Sequence, residues 1–310
     1  MAVSFVRLTF FLTLVVGAAL LGMNFAHGSM TCPPIIIDLY LGEPVPMETV
    51  LDDLAKARIV YVGEFHTISR HHELQAEILR GLAGRNPKVA LAMEMFTPEQ
   101  QPIVNSWLAS KETVSELVEN LGGDRWTNLT DYRSVLYLAR DLGVPIICLN
   151  APEQIVRKVS REGFGSLSEE QKSLIPPDVD PINPLYAKLL TMKLRVHRAF
   201  QGKTLDRVIY AQALRDAVMA RNIARFLESP QGTDKLLMVI AGNGHLNYGF
   251  GIPERVKLYI DAPFRIVLPS ESGELRLSET EKIQAMDIEI SHEDIKFIDR
   301  PIADYLSVEN

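Results

Sequence analysis

A Gly-x-x-His string closes an apolar run at two distant places in this chain. Gly63-Glu64-Phe65-His66 follows Ile59-Val60-Tyr61-Val62, and Gly242-Asn243-Gly244-His245 follows Leu236-Leu237-Met238-Val239-Ile240-Ala241. Both runs are short, continuous and rich in β-branched residues, the pattern of strands buried on both faces of a parallel sheet. Each histidine then stands just past the carboxyl end of a strand. In open α/β sheets that edge forms the ligand crevice, and glycine there permits a sharp turn or a close backbone approach. The two histidines are therefore expected to converge on one site.

The rest of the chain alternates strand and helix. Apolar runs at 89–93, 144–149 and 265–268 add three predicted strands, and helical spacing marks 47–57, 69–82, 98–108, 131–141 and 211–227. This rhythm predicts an α/β fold with a mainly parallel sheet covered by helices on both faces. Residues 163–206 break it with a Pro-rich stretch, and Asn183-Pro184 then opens a helix whose apolar stripe is Leu185, Leu189, Met192, Val196 and Phe200, with Tyr186 and His197 nearby. Such an insertion serves either as a lid over a ligand or as one more helix packed on the core. The expected organisation is residues 1–28 as signal peptide or membrane anchor, 29–57 as an N-terminal extension, 58–269 as the α/β domain with its helical insertion, and 270–310 as an acidic peripheral segment holding a strand or a loosely ordered tail.

Arg7 precedes an uncharged stretch over residues 8–26, and Ala26-His27-Gly28 offers the small residues of a cleavage site. Export is expected, to the periplasm or to the outer side of the inner membrane, with an uncleaved anchor and a lipid on Cys32 as the alternatives. Ser29-Met30-Thr31 departs from the usual sequence before a lipidated cysteine. The other cysteine, Cys148, lies in the apolar run Val144-Pro145-Ile146-Ile147-Cys148-Leu149 and reads as a buried strand residue, so no disulfide is expected. A formal charge of -7 without any basic block argues against a nucleic-acid partner.

Several residues carry potential chemistry. Glu64 and His66 sit together at a strand exit, a pairing that suits general acid–base work or a divalent metal. His72 and Gln75 follow on the next helix, whereas His71 shares its apolar stripe and reads as packed. Glu94 directly follows five apolar residues, where a carboxylate needs a partner: a bound ligand, or an arginine in an ion pair. Arg215, beside Asp216 among small apolar neighbours, is a candidate to bind a carboxylate, whether Glu94 or a ligand's. His245 lies among glycines that free backbone N–H groups, and Asn150-Ala151-Pro152 would line the same rim. The chain has no Gly-x-Ser-x-Gly elbow, no Walker-type lysine loop and no His-Glu-x-x-His helix.

Taken in order, Gly63-Glu64-x-His66, His72-x-x-Gln75, Met93-Glu94-Met95-Phe96, Gln101, Trp107, Leu149-Asn150-Ala151-Pro152, Arg215-Asp216-x-Val218-Met219-Ala220 and Gly242-Asn243-Gly244-His245 through Tyr248-Gly249 resemble the ChaN-like haem-binding uptake family, within the Tiki and erythromycin-esterase superfamily. The resemblance implies an exported, often lipid-anchored protein of haem or iron acquisition, with haem held between the subunits of a homodimer by an axial tyrosine. Tyr248, Tyr186, Tyr210 and Tyr132 are all eligible for that place, and Tyr248, Tyr186, His197 and His72 are the candidate cofactor contacts. The wider superfamily implies hydrolysis instead. Two readings follow: a haem-binding protein of iron uptake, or a metal-dependent hydrolase of a peptide, ester or amide. In the second, His66, Glu94 and His245 bind manganese, cobalt or zinc, or one histidine acts as base with Glu64 orienting it and Arg215 steadying the oxyanion.

Overall fold

The computed structural model describes residues 34–123, 128–177, 179, 183–194, 202–270 and 295–308. In chain order the strands and α-helices are β1 (Ile35–Asp38), β2 (Glu43–Val45), α1 (Met47–Leu54), β3 (Ile59–Val62), α2 (Ser69–Arg85), β4 (Val89–Met93), α3 (Gln101–Leu108), α4 (Val114–Asn120), α5 (Arg133–Asp141), β5 (Ile146–Cys148), α6 (Glu153–Glu162), α7 (Glu169–Ser173), α8 (Pro184–Leu194), α9 (Lys203–Glu228), β6 (Leu236–Ile240), α10 (Ile252–Val256), β7 (Phe264–Pro269) and β8 (Tyr305–Val308). The fold is α/β, as the alternation predicts.

One sheet runs in the order β2-β1-β8-β7-β3-β6-β4-β5. The six strands from β8 to β5 are parallel, and β1 is antiparallel to both β8 and β2. Side chains alternate across it as the pleat requires. Val60, Val62, Leu91, Met93, Met238 and Ile240 pack under helices α1 to α5 through Leu54, Ile78, Leu82, Trp107 and Leu136. Ile59, Tyr61, Ala92, Leu237 and Val239 face Met219, Ala220 and Ile223 of α9 and Ile252 and Val256 of α10. Continuous apolar runs are thus explained by helices on both faces.

The chain's flanking segments are parts of this sheet. Strands β1, β2 and β8 lie outside residues 58–269, and Asp53 of α1 accepts hydrogen bonds from Arg265 Nε at 2.6 Å and from the Tyr305 hydroxyl at 3.0 Å. At the opposite edge, the Gln101 side chain does the work of a ninth strand: its Nε2 donates to Ile146 O at 2.7 Å and its Oε1 accepts from Cys148 N–H at 2.9 Å. This covers an edge that would otherwise invite pairing. Cys148 is buried and free, and burial pushes its thiol up to about 12.

Helix α9 starts at Lys203, earlier than the periodicity indicates, and α4, α6 and α7 were not expected. Helix α8 does open at Pro184, with Asn183 Oδ1 accepting from Leu185 N–H at 2.9 Å. Its buried stripe is Tyr186, Leu189 and Leu190, however, and Leu185 is 38% exposed. The helix is turned this way because the Tyr186 hydroxyl reaches Asp216 of α9 at 2.8 Å while its ring packs on Phe250. Val196, His197 and Phe200 lie outside the described residues, as do the predicted signal segment and Cys32. Among the described residues no helix is long and apolar enough to cross a membrane.

Candidate functional site

The sheet order places the exits of β3, β6, β4 and β5 side by side, so Glu64 and His66, Gly242 to His245, Glu94 and Asn150 share one edge. The two Gly-x-x-His segments interlock there. Asn243 N–H donates to Glu64 O at 3.0 Å, and a Cβ on Gly63 would fall 2.1 Å from Asn243 Oδ1. A Cβ on Gly242 would stand 3.1 Å from His66 Nε2 and 3.7 Å from Glu94 Oε2. Gly63 is thus required by close approach rather than by an unusual φ, and Gly242 leaves only tight room for a methyl group. Gly242 N–H in turn donates to Glu94 Oε2 at 2.8 Å.

His66 is held from behind and partly exposed in front. Its Nδ1 lies 2.5 Å from Glu64 Oε1, and its side chain is 38% exposed. Glu64 itself is buried; Tyr132 OH also donates to Oε1, and Gln75 Nε2 donates to Oε2 at 2.7 Å. A carboxylate on Nδ1 favours the proton there, and Nε2 is turned towards Gly242. Burial disfavours the imidazolium, but the bond to Glu64 and the charge of Glu94 outweigh it and raise the pKa.

His245 is closed on both sides. Its Nδ1 lies 2.5 Å from Asp216 Oδ1 and its Nε2 3.3 Å from Glu94 Oε1, and its side chain is only 5% exposed. Burial opposes the charged ring, yet Glu94 and Asp216 prevail and push it up to about 9, which favours the imidazolium. Glu94 is fully buried, which opposes its ionisation; the charges of His245 and Arg215 hold it well below the usual carboxylate range. Arg215 Nη2 donates to Glu94 Oε1 at 2.7 Å and Nε to Asn150 Oδ1 at 3.1 Å. Both sequence readings of Glu94 thus meet in one residue: it has an arginine partner, and it lies in the shared cluster. Arg215 also borders a cavity of about 830 Å³ walled by Met95, Asn150, Val156, Arg157 and Leu174.

The remaining candidates fall elsewhere. His71 is buried, and its Nδ1 accepts from Phe65 N–H at 2.9 Å. His72 is buried behind Glu64, its ring 4.0 Å from that of Tyr132 and its Nε2 3.7 Å from Glu64 Oε2, and burial lowers its pKa. Tyr186 is buried, its hydroxyl engaged by Asp216 and by Gly244 O. The sequence names Asp216 and Gln75 only as neighbours of Arg215 and His72, and Tyr132 only as an eligible haem tyrosine; their part in this cluster was not assigned. For Asp216 the signal was present, an acid within the small apolar run of α9; Tyr132 reaches Glu64 only through the tertiary fold.

The metal set needs correction. Among the described residues no three His, Cys, Asp or Glu side chains are grouped to hold a metal ion. Glu94 already accepts from the Arg215 guanidinium and a backbone N–H, and both His245 nitrogens face carboxylates. A divalent ion among His66, Glu94 and His245 would have to displace the Arg215 guanidinium from Glu94 and the proton of His245, so these residues do not fit one.

The model of the haem-binding uptake family, ChaN of the Tiki superfamily, matches residues 50–256. The chain belongs to this family. The structure of ChaN from Campylobacter jejuni with cofacially bound haem is similar in fold, with a TM-score of 0.65 at 16% identity over 89% of this chain and 97% of that one. An erythromycin esterase mutant in its open conformation gives a TM-score of 0.45 at 15% identity over 71% of this chain and 72% of that one. Protein RETICULATA-RELATED 5, chloroplastic, of Arabidopsis thaliana is 27% identical over 250 residues, 74% of this chain and 34% of that protein. The chain therefore spans about a third of the length of this curated relative.

A haem-binding uptake protein needs a ligating side chain, an apolar wall and cations near the propionates. Tyr132 and Tyr186 are buried with their hydroxyls on carboxylates, and Tyr210 packs on Phe164. Tyr248 is half-buried at the end of the second Gly-x-x-His loop and, at φ 61°, is the one non-glycine residue with positive φ among the described residues. Phe250, Phe297 and Ile298 share its apolar cluster, with Lys188 over Phe297 and Arg300 over Phe250. These residues fit a haem.

Proposed function

We propose that the chain is an exported haem-binding protein of haem or iron acquisition, with Tyr248 as the axial ligand. The observation that carries this reading is Tyr248 itself, a half-buried phenol in a left-handed conformation beside an aromatic wall. A non-glycine residue in that conformation costs about 1 kcal/mol or more and persists where the surroundings demand it. Bound haem would supply iron coordination and redox capacity; the chain would supply the ligand, the wall and the cations. Family membership supports the ligand class, and the apolar stretch at residues 8–26 supports export. A second copy closing over the same face completes the reading as a homodimer.

Titration of the purified apo chain with ferric haem tests it. A Soret band that saturates, is lost in Tyr248→Phe and persists in His66→Ala is the expected result; a band indifferent to Tyr248 refutes the assignment. Sizing with and without haem reads the dimer, and the N-terminal sequence of the mature chain reads export, expected to begin near Ser29.

The polar cluster favours a second reading, because haem binding gives no role to the Glu64–His66 pair at this sheet edge. In it the chain is a hydrolase of an ester or amide that works without a metal. His66 Nε2 takes a proton from water as the oxygen adds to the carbonyl carbon, Arg215 meets the resulting oxyanion, and collapse expels the leaving group, which takes the proton from His66. Glu64 holds the ring and its tautomer throughout. Turnover of chromogenic acyl esters that disappears in His66→Ala and survives in Tyr248→Phe, after dialysis against chelator, is its signature.

A further inference from the structure

The C-terminal segment over residues 297–302 lies beyond the span matched by the family, yet it grips the candidate haem ligand at both ends of its peptide unit. Tyr248 N–H donates to Ile302 O at 2.7 Å, and Arg300 Nη1 lies 3.5 Å from Tyr248 O. Phe297 and Ile298 join the apolar cluster formed by Tyr186, Leu189, Ile209 and Phe250. The segment is therefore a strap across this face, and it fixes Arg300 next to Tyr248.

Arg300 is oriented but not consumed by these contacts. Its guanidinium carbon stands 5.1 Å from the centre of the Phe250 ring, its Nε is 3.8 Å from Asp299 Oδ1, and its side chain is 44% exposed. Asp299 is 90% exposed, so that pair is largely screened. A guanidinium carries five N–H donors in a planar fork that matches a carboxylate, and stacking on an aromatic ring holds the fork in place. Lys188 Nζ lies 4.0 Å from the Phe297 ring centre, on the same apolar cluster. A flat apolar ligand carrying carboxylates would meet the half-buried Tyr248, Phe297 and Ile298 and two cations here.

We propose that Arg300, positioned by the C-terminal strap, binds a propionate carboxylate of the haem, with Lys188 supporting the second. This rests on the haem reading, and it assigns part of the ligand site to a segment outside the family's matched span.

The test compares ferric haem with its dimethyl ester, in which both propionates are neutral, each titrated into the full-length apo chain and followed by the Soret band. Arg300→Ala is expected to weaken haem binding about tenfold, as loss of a charge-assisted pair does. The same variant should leave the ester's affinity unchanged, and Arg300→Lys should recover part of the loss for haem. Lys188→Ala should show the same discrimination with a smaller factor. Equal affinity of Arg300→Ala and the natural chain for haem overturns the proposal, as does an equal loss for haem and ester, which would mark Arg300 as structural. A natural chain that shows no Soret band with either compound overturns the haem reading itself, an outcome distinct from both. Matching thermal unfolding midpoints keep misfolding out of the comparison, since Arg300 is exposed.

Discussion

His66 and His245 close the same four-residue motif, stand at neighbouring strand exits and are each paired to a carboxylate at 2.5 Å, yet one ring is partly exposed and the other is locked in the interior. The difference lies in what stands on the second nitrogen. His66 presents Nε2 towards the Gly242 backbone and keeps 38% of its side chain exposed, while His245 meets Glu94 there and keeps 5%. A buried imidazole between two carboxylates is held as a cation; a more exposed one with a single carboxylate on Nδ1 is held less firmly in one charge state. Repetition of a motif thus marks a shared place in the fold without assigning a shared role.

The sharpest way to break this contrast is to remove the inner carboxylates. Asp216→Ala removes the carboxylate on His245 Nδ1 and the nearer partner of the Tyr186 hydroxyl and should cost about 3–5 kcal/mol, as broken buried pairs do. Glu64→Gln should cost clearly less, because His66 can turn towards water. Urea unfolding of both variants decides; equal losses would erase the distinction between the halves.

The contrast also predicts a pH profile. His245 binds its proton more tightly folded than unfolded, so its contribution is complete below about 6.5 and is lost as pH rises towards about 9, on the order of 3 kcal/mol in all. Glu94 has the opposite sign: its contribution is present above its ordinary value of 4.5 and is lost as pH falls. Stability should therefore peak between about pH 4.5 and 6.5, and stability flat from pH 6.5 to 9 would contradict the charged state of His245.

Smaller effects separate the two glycines. Gly63→Ala drives a methyl into Asn243 Oδ1 and the Leu268 side chain and should cost about 1–3 kcal/mol. Gly242→Ala meets the edge of the more exposed His66 ring at about 3 Å, so it should cost less stability and instead displace His66, visible as a shifted imidazole resonance. Smallest of all, Tyr132→Phe removes one bond to Glu64 and should cost about 1 kcal/mol while lowering the order of the His66 ring.

The strands were legible because burial on both faces leaves an uninterrupted apolar run, and Ile59–Val62, Val89–Met93 and Leu236–Ile240 carry it. Glu94 was legible because an acid directly after such a run must find a partner. Tyr132 was not, since nothing local ties it to Glu64, and neither was the rotation of α8, where the Tyr186 bond to Asp216 displaces the stripe expected through Leu185. Strands β1, β2 and β8 were hidden by their shortness and, in β1 and β2, by their incomplete burial, which leave weak patterns.

By itself, the sequence determined the α/β rhythm and the position of two histidines and an acid at strand ends, because periodicity and punctuation are local properties of the chain. Which strands neighbour one another was decided only in three dimensions. That order, with β6 inserted between β3 and β4, brings Glu94 beside both imidazoles and buries one of them between carboxylates while the other stays partly exposed, since charge and exposure depend on what packs around a group rather than on what precedes it in the chain.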